Sequence, residues 1–256
     1  MEQIGNIIGN EARSAIFAAV RTLIGRGLTV GEVGPIDAAI ERGRLGSGRA
    51  LGWLSERYES GGCGPGTVSG GRGDPGGVSY GLYQLSSRTG TAAAFLHGEG
   101  GTWAAELSGP PGTAAFSVAW RSIAAREGER FGAAQHAFIE RTHYCPAVAA
   151  VRAATAFDLD MRPQALRDAA WSTAVQHGSA ARLLQTAVAN ADISARRGEP
   201  EHDRVLVVAL YAARTAHVRA IAARSAAAVA RTLTNVVERR YPDELAAALA
   251  MLKAPR

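Results

Sequence analysis

The sequence predicts a mainly α fold of the α+β kind, a helical body interrupted by one small β-hairpin near the N-terminal third. Three observations carry this. Apolar residues recur at three- and four-residue intervals over most of the 256 residues, the repeat of one helix face. Alanine supplies about a fifth of the chain, which suits close-packed helices. Glycine makes up more than half of residues 61–77, and there the helical pattern stops.

Taken in order, Glu11 to about Leu23 forms a helix with Ile16, Val20 and Leu23 on one face, stopped by Gly25 and Gly27. Pro35 opens a short helix through Ile40, which Gly43 ends. Residues 1–45 read as a helical N-terminal extension and 46–256 as the main domain. Ser47 is the N-cap of the next helix, Leu51, Leu54 and Tyr58 are its buried stripe, and it runs into Glu59-Ser60 before Gly61-Gly62 stop it. Thr67-Val68-Ser69 and Val78 to Leu85 are the strand candidates, and Gly70 to Gly77 is the turn between them. After Thr89 helical patterns cover 112–127, 129–143, 146–157, 163–176, 179–190, 201–222, 225–240 and 243–252. Gly128, Pro146, Pro163, Gly178, Gly198-Glu199-Pro200 and Pro242 mark the connections between them.

Hydrophobic residues at 47% and charged residues at 20% are ordinary globular usage, enough for a sizeable core. The net charge of +5 rests on arginine, Lys253 being the sole lysine. Such a surface suits an anionic polymer, but the arginines are spread along the helices and draw no nucleic-acid stripe. Cys63 and Cys145 have no zinc spacing and form no CxxC, so neither a metal site nor a cofactor is expected; they form one disulfide or stand as two thiols. The start at Met1 lacks a basic n-region and an apolar h-region, and no apolar run approaches the length of a membrane span. Work outside the cytoplasm then needs a delivery route other than a signal peptide.

One constellation suits cleavage of glycosidic bonds. That reaction passes through an oxocarbenium-like state and needs a carboxylic acid that stays protonated near neutral pH, usually with a second carboxylate. Glu59 fits the first need: it lies in the last turn of its helix, where the negative end of the dipole disfavours ionisation, and partial burial acts the same way. Glu56 is the rival acid, farther from the glycine break. Asp74, at the tip of the expected turn, fits the second need, although Asp-Pro-Gly is equally a turn signature. Carboxyls roughly 6.5–9.5 Å apart invert the anomeric centre and roughly 5–5.5 Å apart retain it. With period-two alternation Ser79, Gly81 and Tyr83 share one face of the returning strand and Tyr80, Leu82 and Gln84 the other. Ser79, Tyr80, Tyr83 and Gln84 offer aromatic faces and fixed polar groups to a sugar. His177, at a helix end, is a further candidate for binding substrate or bracing the hairpin; Trp171 reads as core and Asp168 as a distant second carboxylate.

Glu-Ser-Gly-Gly at 59–62 followed by Gly-Val-Ser-Tyr-Gly-Leu-Tyr-Gln at 77–84 resembles the lysozyme-like superfamily. Goose-type lysozymes and soluble lytic transglycosylases have a similar Glu-Ser near a helix end and a Gly-Leu-Met-Gln-type strand, with Tyr83 here in place of Met. Tyr58 to Ser87 is more similar still to lysozyme-type domains of phage endolysins and of cell-wall-degrading type VI secretion effectors, and Trp171 to Gly178 resembles a helix-end segment of those domains. The resemblance implies a lysozyme-like catalytic domain, Glu59 as the acid and Asp74 in the place of the second carboxylate. It implies a muramidase acting between N-acetylmuramic acid and N-acetylglucosamine. The alternatives are a lytic transglycosylase, a chitosanase or a non-catalytic basic binding protein. The partners so implied are peptidoglycan glycan strands, delivery machinery and an immunity protein. The place of action is the periplasm, after holin release or secretion-system delivery.

Overall fold

The computed structural model describes residues 17–29, 31–33, 36, 51–52, 54, 64–71 and 76–253. The chain divides into two compact units, Met1–Arg49 and Ala50–Arg256. In the first, residues 17–24 are helical, and the Glu32 carboxylate accepts from Arg26 and from the amide and hydroxyl of Thr29. Those bonds, Arg26 first, hold its pKa at about 2.

The second unit is helical around a two-stranded antiparallel hairpin, β1 (Ser79–Tyr80) and β2 (Leu85–Ser86). Eight α-helices follow: α1 (Thr91–His97), α2 (Ala114–Ile139), α3 (Cys145–Thr155), α4 (Gln164–Gln176), α5 (Ala180–Ser194), α6 (Pro200–Ala222), α7 (Ala227–Asn235) and α8 (Tyr241–Lys253). Helix α4 is the hub, packing on α5, α6 and α8, with every residue from Gln164 to Ala174 buried. Helix α6 is long and apolar enough by composition to cross a membrane. Here it packs against α5, α7 and α8, and its inward face carries Asp203 and Arg214 in ion pairs. An aromatic cluster of Tyr80, Phe95, Trp103, Phe116, Trp120 and Phe131 seats the hairpin on α1 and α2.

The sequence expected separate helices over 112–127 and 129–143. The structure joins them into α2 across a kink at Glu127 (φ −132°, ψ 37°), beside Gly128. Thr113 caps its start by accepting from the Phe116 amide. Pro146 and Pro242, expected as connections, are instead absorbed into continuous helix. Each follows a π-helical turn, Glu140–Tyr144 and Val236–Arg240. Proline offers no N–H and crowds the carbonyl four residues back, here Thr142 or Glu238, and a widened turn relieves both problems. Helix α1 was not resolved as a separate element in the sequence pattern.

The hairpin is also shifted. Val78 to Leu85 is not one strand: the chain reverses within it over Gly81–Gln84, pairing Ser79 with Ser86 and Tyr80 with Leu85. Val68 makes a single bridge to Tyr80 rather than a full strand. Gly81 (φ 73°) and Gln84 (φ 52°) take left-handed conformations that suit a tight reversal. The alternation of faces therefore ends at Tyr80.

Candidate active site

Glu59, its rival Glu56, Asp74 and Cys63 lie outside the described residues. The chain on either side of each carboxylate is described. Before Glu59, the Gly52 amide donates to Asp168 Oδ1 on α4 at 2.9 Å, and Leu54 is fully buried in the core. Gly52 lies so close to Trp171 that an added Cβ would sit 2.6 Å from its Nε1. After Glu59, the Pro65 carbonyl accepts from Trp120 Nε1 at 2.8 Å and from Gln135 Nε2 at 3.1 Å. Residues 64–66 lie against α2, where Gly66 leaves no room for a Cβ beside Ala124. An open concavity of about 500 Å³ lies along this segment, with Pro65, Ala124 and Ala125 in its lining and Arg121 and Glu129 as its charged groups. On the two sides of Asp74, the Ser69 amide donates to the Ser79 carbonyl at 2.9 Å, and the Gly76 carbonyl accepts from Ser86 Oγ at 2.5 Å and the Arg88 amide at 3.1 Å.

Consecutive residues of α2 grip consecutive residues of the hairpin turn. Gln135 Oε1 accepts from the Leu82 amide at 2.9 Å, and His136 Nδ1 meets the Tyr83 hydroxyl at 2.7 Å. His136 also stacks on Trp171, centroids 4.4 Å apart and planes within 12°. Burial holds the His136 pKa below its ordinary value, so the ring is neutral near pH 7. Hairpin, α2 and α4 thus meet in one layer of Tyr83, His136 and Trp171, on which Gly52 rests.

The sequence-predicted binding residues divide. Tyr83 and Gln84 belong to the turn: Tyr83 is in the layer just described, and Gln84 Nε2 donates to the Gly81 carbonyl at 3.1 Å. Tyr80 is fully buried, its hydroxyl accepting from the Gly112 amide and sharing a 3.0 Å bond with Ser117 Oγ. Ser79 is buried too, with its amide given to Ser69 Oγ. Tyr80 is thereby committed to the core, and Ser79, 7% exposed as against 8% for Tyr83, to the paired strand that seats the hairpin. His177 does not brace the hairpin either. Its Nε2 meets the Tyr241 hydroxyl on α8 at 3.0 Å, and burial, with Arg214, His217 and Arg240 adding to it, depresses its pKa to about 3.

His177 borders a buried polar network that pattern reasoning missed. The Glu244 carboxylate on α8 accepts from Arg214, Ser172, Tyr211 and Arg240. Arg214 also donates to Gln176 and Ser172 and packs on the rings of both Tyr211 and Tyr241, at 4.7 and 4.4 Å. Both charges are fully buried and clamp α4, α6 and α8 together. Asp168, the expected distant carboxylate, is likewise fully buried and holds Gly52. Gln135 had no sequence signal. Asp168 and Ser172 had one: polar residues on a helix whose apolar residues cover every side.

Among the described residues no group of three His, Cys, Asp or Glu side chains could hold a metal ion. Cys145 is exposed at the start of α3. Residues 51–241 match a family model described as type VI secretion system spike protein VgrG3-like, C-terminal, and every candidate site residue from Glu59 to His177 falls inside that span. The chain is also similar to the type VI secretion system spike protein VgrG3 of Vibrio cholerae serotype O1 (strain ATCC 39315 / El Tor Inaba N16961), 40% identical over 139 residues. That match covers 54% of this chain and 13% of VgrG3, a much longer protein.

Proposed function

We propose, for a chain that belongs to the type VI secretion system spike protein VgrG3-like C-terminal family, that it is a peptidoglycan hydrolase of the muramidase type with Glu59 as its general acid. In this reading Glu59 protonates the leaving oxygen between N-acetylmuramic acid and N-acetylglucosamine as the bond from C1 breaks. Asp74 faces the resulting cation or the water that adds to C1. The proton donor has to stay neutral until it is used, and the helix end that the sequence predicts at Glu59, beside Gly61-Gly62, would favour that.

The observation that carries the reading is the anchoring on either side of Glu59. Gly52 and Leu54 before it, and Pro65 after it, are pinned to the same aromatic core through Trp171, Trp120 and Gln135. A segment held at both ends on a rigid core is what an acid needs to meet a scissile bond reproducibly. The net charge of +5 suits an anionic wall polymer and speaks against a cationic chitosan. Family membership supports the type VI machinery as the means of delivery. In this reading the domain then acts on peptidoglycan in the periplasm, with an immunity protein as a further partner.

Mass spectrometry of digested sacculi tests the reaction type. A muramidase releases muropeptides that have gained one water per bond cut. Release of 1,6-anhydro products, with no water gained, would instead assign a lytic transglycosylase.

A further inference from the structure

We infer that Gln135 is a positioning residue for the reaction, seating on α2 the two segments that lead away from Glu59 and from Asp74. This rests on the muramidase reading above. Gln135 is fully buried, yet its amide is committed at both ends: Oε1 accepts from the Leu82 amide at 2.9 Å and Nε2 donates to the Pro65 carbonyl at 3.1 Å. Pro65 lies six residues after Glu59 and Leu82 eight residues after Asp74. One planar side chain therefore joins the exits of both candidate carboxylate segments.

The surroundings are shaped to this contact. Gly81 has φ 73° and the amide of Gln135 fills the space its Cβ would take. One turn earlier on α2, Leu82 and Pro65 both pack at Gly132, 3.5 and 3.6 Å from where a Cβ would stand, which is ordinary contact distance. The Gly81 amide donates to the Thr67 carbonyl at 2.7 Å, so 67–69 and the hairpin travel as a pair. That pairing sets how the segments lie on each other; Gln135 sets how the pair lies on α2, next to His136 and Tyr83. A neutral amide offers a donor and an acceptor from one planar end, and a protonated carboxylic acid is the group of the same shape that does the same.

Two variants test this, with turnover on soluble glycan strands measured well below each variant's melting temperature. Gln135→Met removes both bonds and should lower kcat about tenfold or more while KM stays within about threefold, the mark of lost alignment rather than lost binding. Gln135→Glu keeps a donor and an acceptor only while protonated. Its kcat relative to wild type should approach one at acidic pH and fall as the buried carboxyl ionises. If both variants keep the wild-type kcat and pH profile and only melt earlier, Gln135 is structural and the inference is overturned. Full turnover in Glu59→Gln would instead overturn the reaction assignment beneath it.

Discussion

Alanine at position 52 tests whether the entry to the Glu59 segment is held against Trp171. Gly52 has φ 93°, and an added Cβ would stand 2.6 Å from Trp171 Nε1 and 2.7 Å from its Cε2. Two costs follow. A left-handed backbone costs an L-residue about 1–2 kcal/mol, and overpacking a core costs about 1–3 kcal/mol. The indole has nowhere to go: it is fully buried, stacked on His136 and 5.6 Å from the Tyr144 ring. Gly90 supplies the control, with φ 84° and nothing within 4 Å of its added Cβ, so Gly90→Ala bears only the backbone cost. Urea unfolding at pH 7, followed by tryptophan fluorescence, should show about 2–5 kcal/mol lost in Gly52→Ala and about 1–2 kcal/mol in Gly90→Ala. Wall lysis should fall in the first variant and persist in the second. Equal losses in the two proteins would refute the argument, since the contact with Trp171 would then carry no energy.

Two further outcomes concern the helical body. Glu244→Ala should destabilise the chain by about 3–5 kcal/mol in urea unfolding, because it strands the fully buried Arg214. The double variant Arg214→Met/Glu244→Leu should recover most of that loss, and a double variant no better than the single would contradict the clamp. Protonation of His177 gives a pH dependence. Its pKa is about 3 in the folded chain against an ordinary 6.5, so between those values the unfolded chain binds the extra proton and stability falls as pH falls. From pH 7 to pH 5 the wild type should lose about 2 kcal/mol more than His177→Asn, and parallel losses would show that His177 does not resist protonation.

The helical body was legible because its signal is local. Ile123, Phe131 and Phe138 repeat on one face whatever lies across from them, and Gly128 marked the kink at Glu127 to within a residue. Pro146 and Pro242 misled because a proline reads as a break, and only the structure shows the widened turn that accommodates it. The hairpin misled for a related reason. Val78 to Leu85 has strand composition, but the reversal at Gly81–Gln84 is met by a side chain far off in sequence, Gln135, 53 residues beyond Leu82. Arg214 and Glu244 are 30 residues apart on different helices, and no spacing rule joins them. Tyr80 looked like a sugar contact because aromatics suit both sugars and cores; its 0% exposure assigns it to the core. Glu59 and Asp74 stood out through their neighbours, a glycine hinge and an Asp-Pro-Gly turn, whereas the anchoring on either side of Glu59 left no mark in the sequence.

The central claim is that the Glu59 carboxyl supplies the proton that cleaves the glycan. Its most direct test is the rate at which purified sacculi release reducing ends with wild type and with Glu59→Gln, both checked for equal unfolding stability. A general acid is worth about 10²–10⁴-fold, so the amide variant should fall by at least the lower figure with its fold intact. An amide variant that digests sacculi at the wild-type rate would contradict the account.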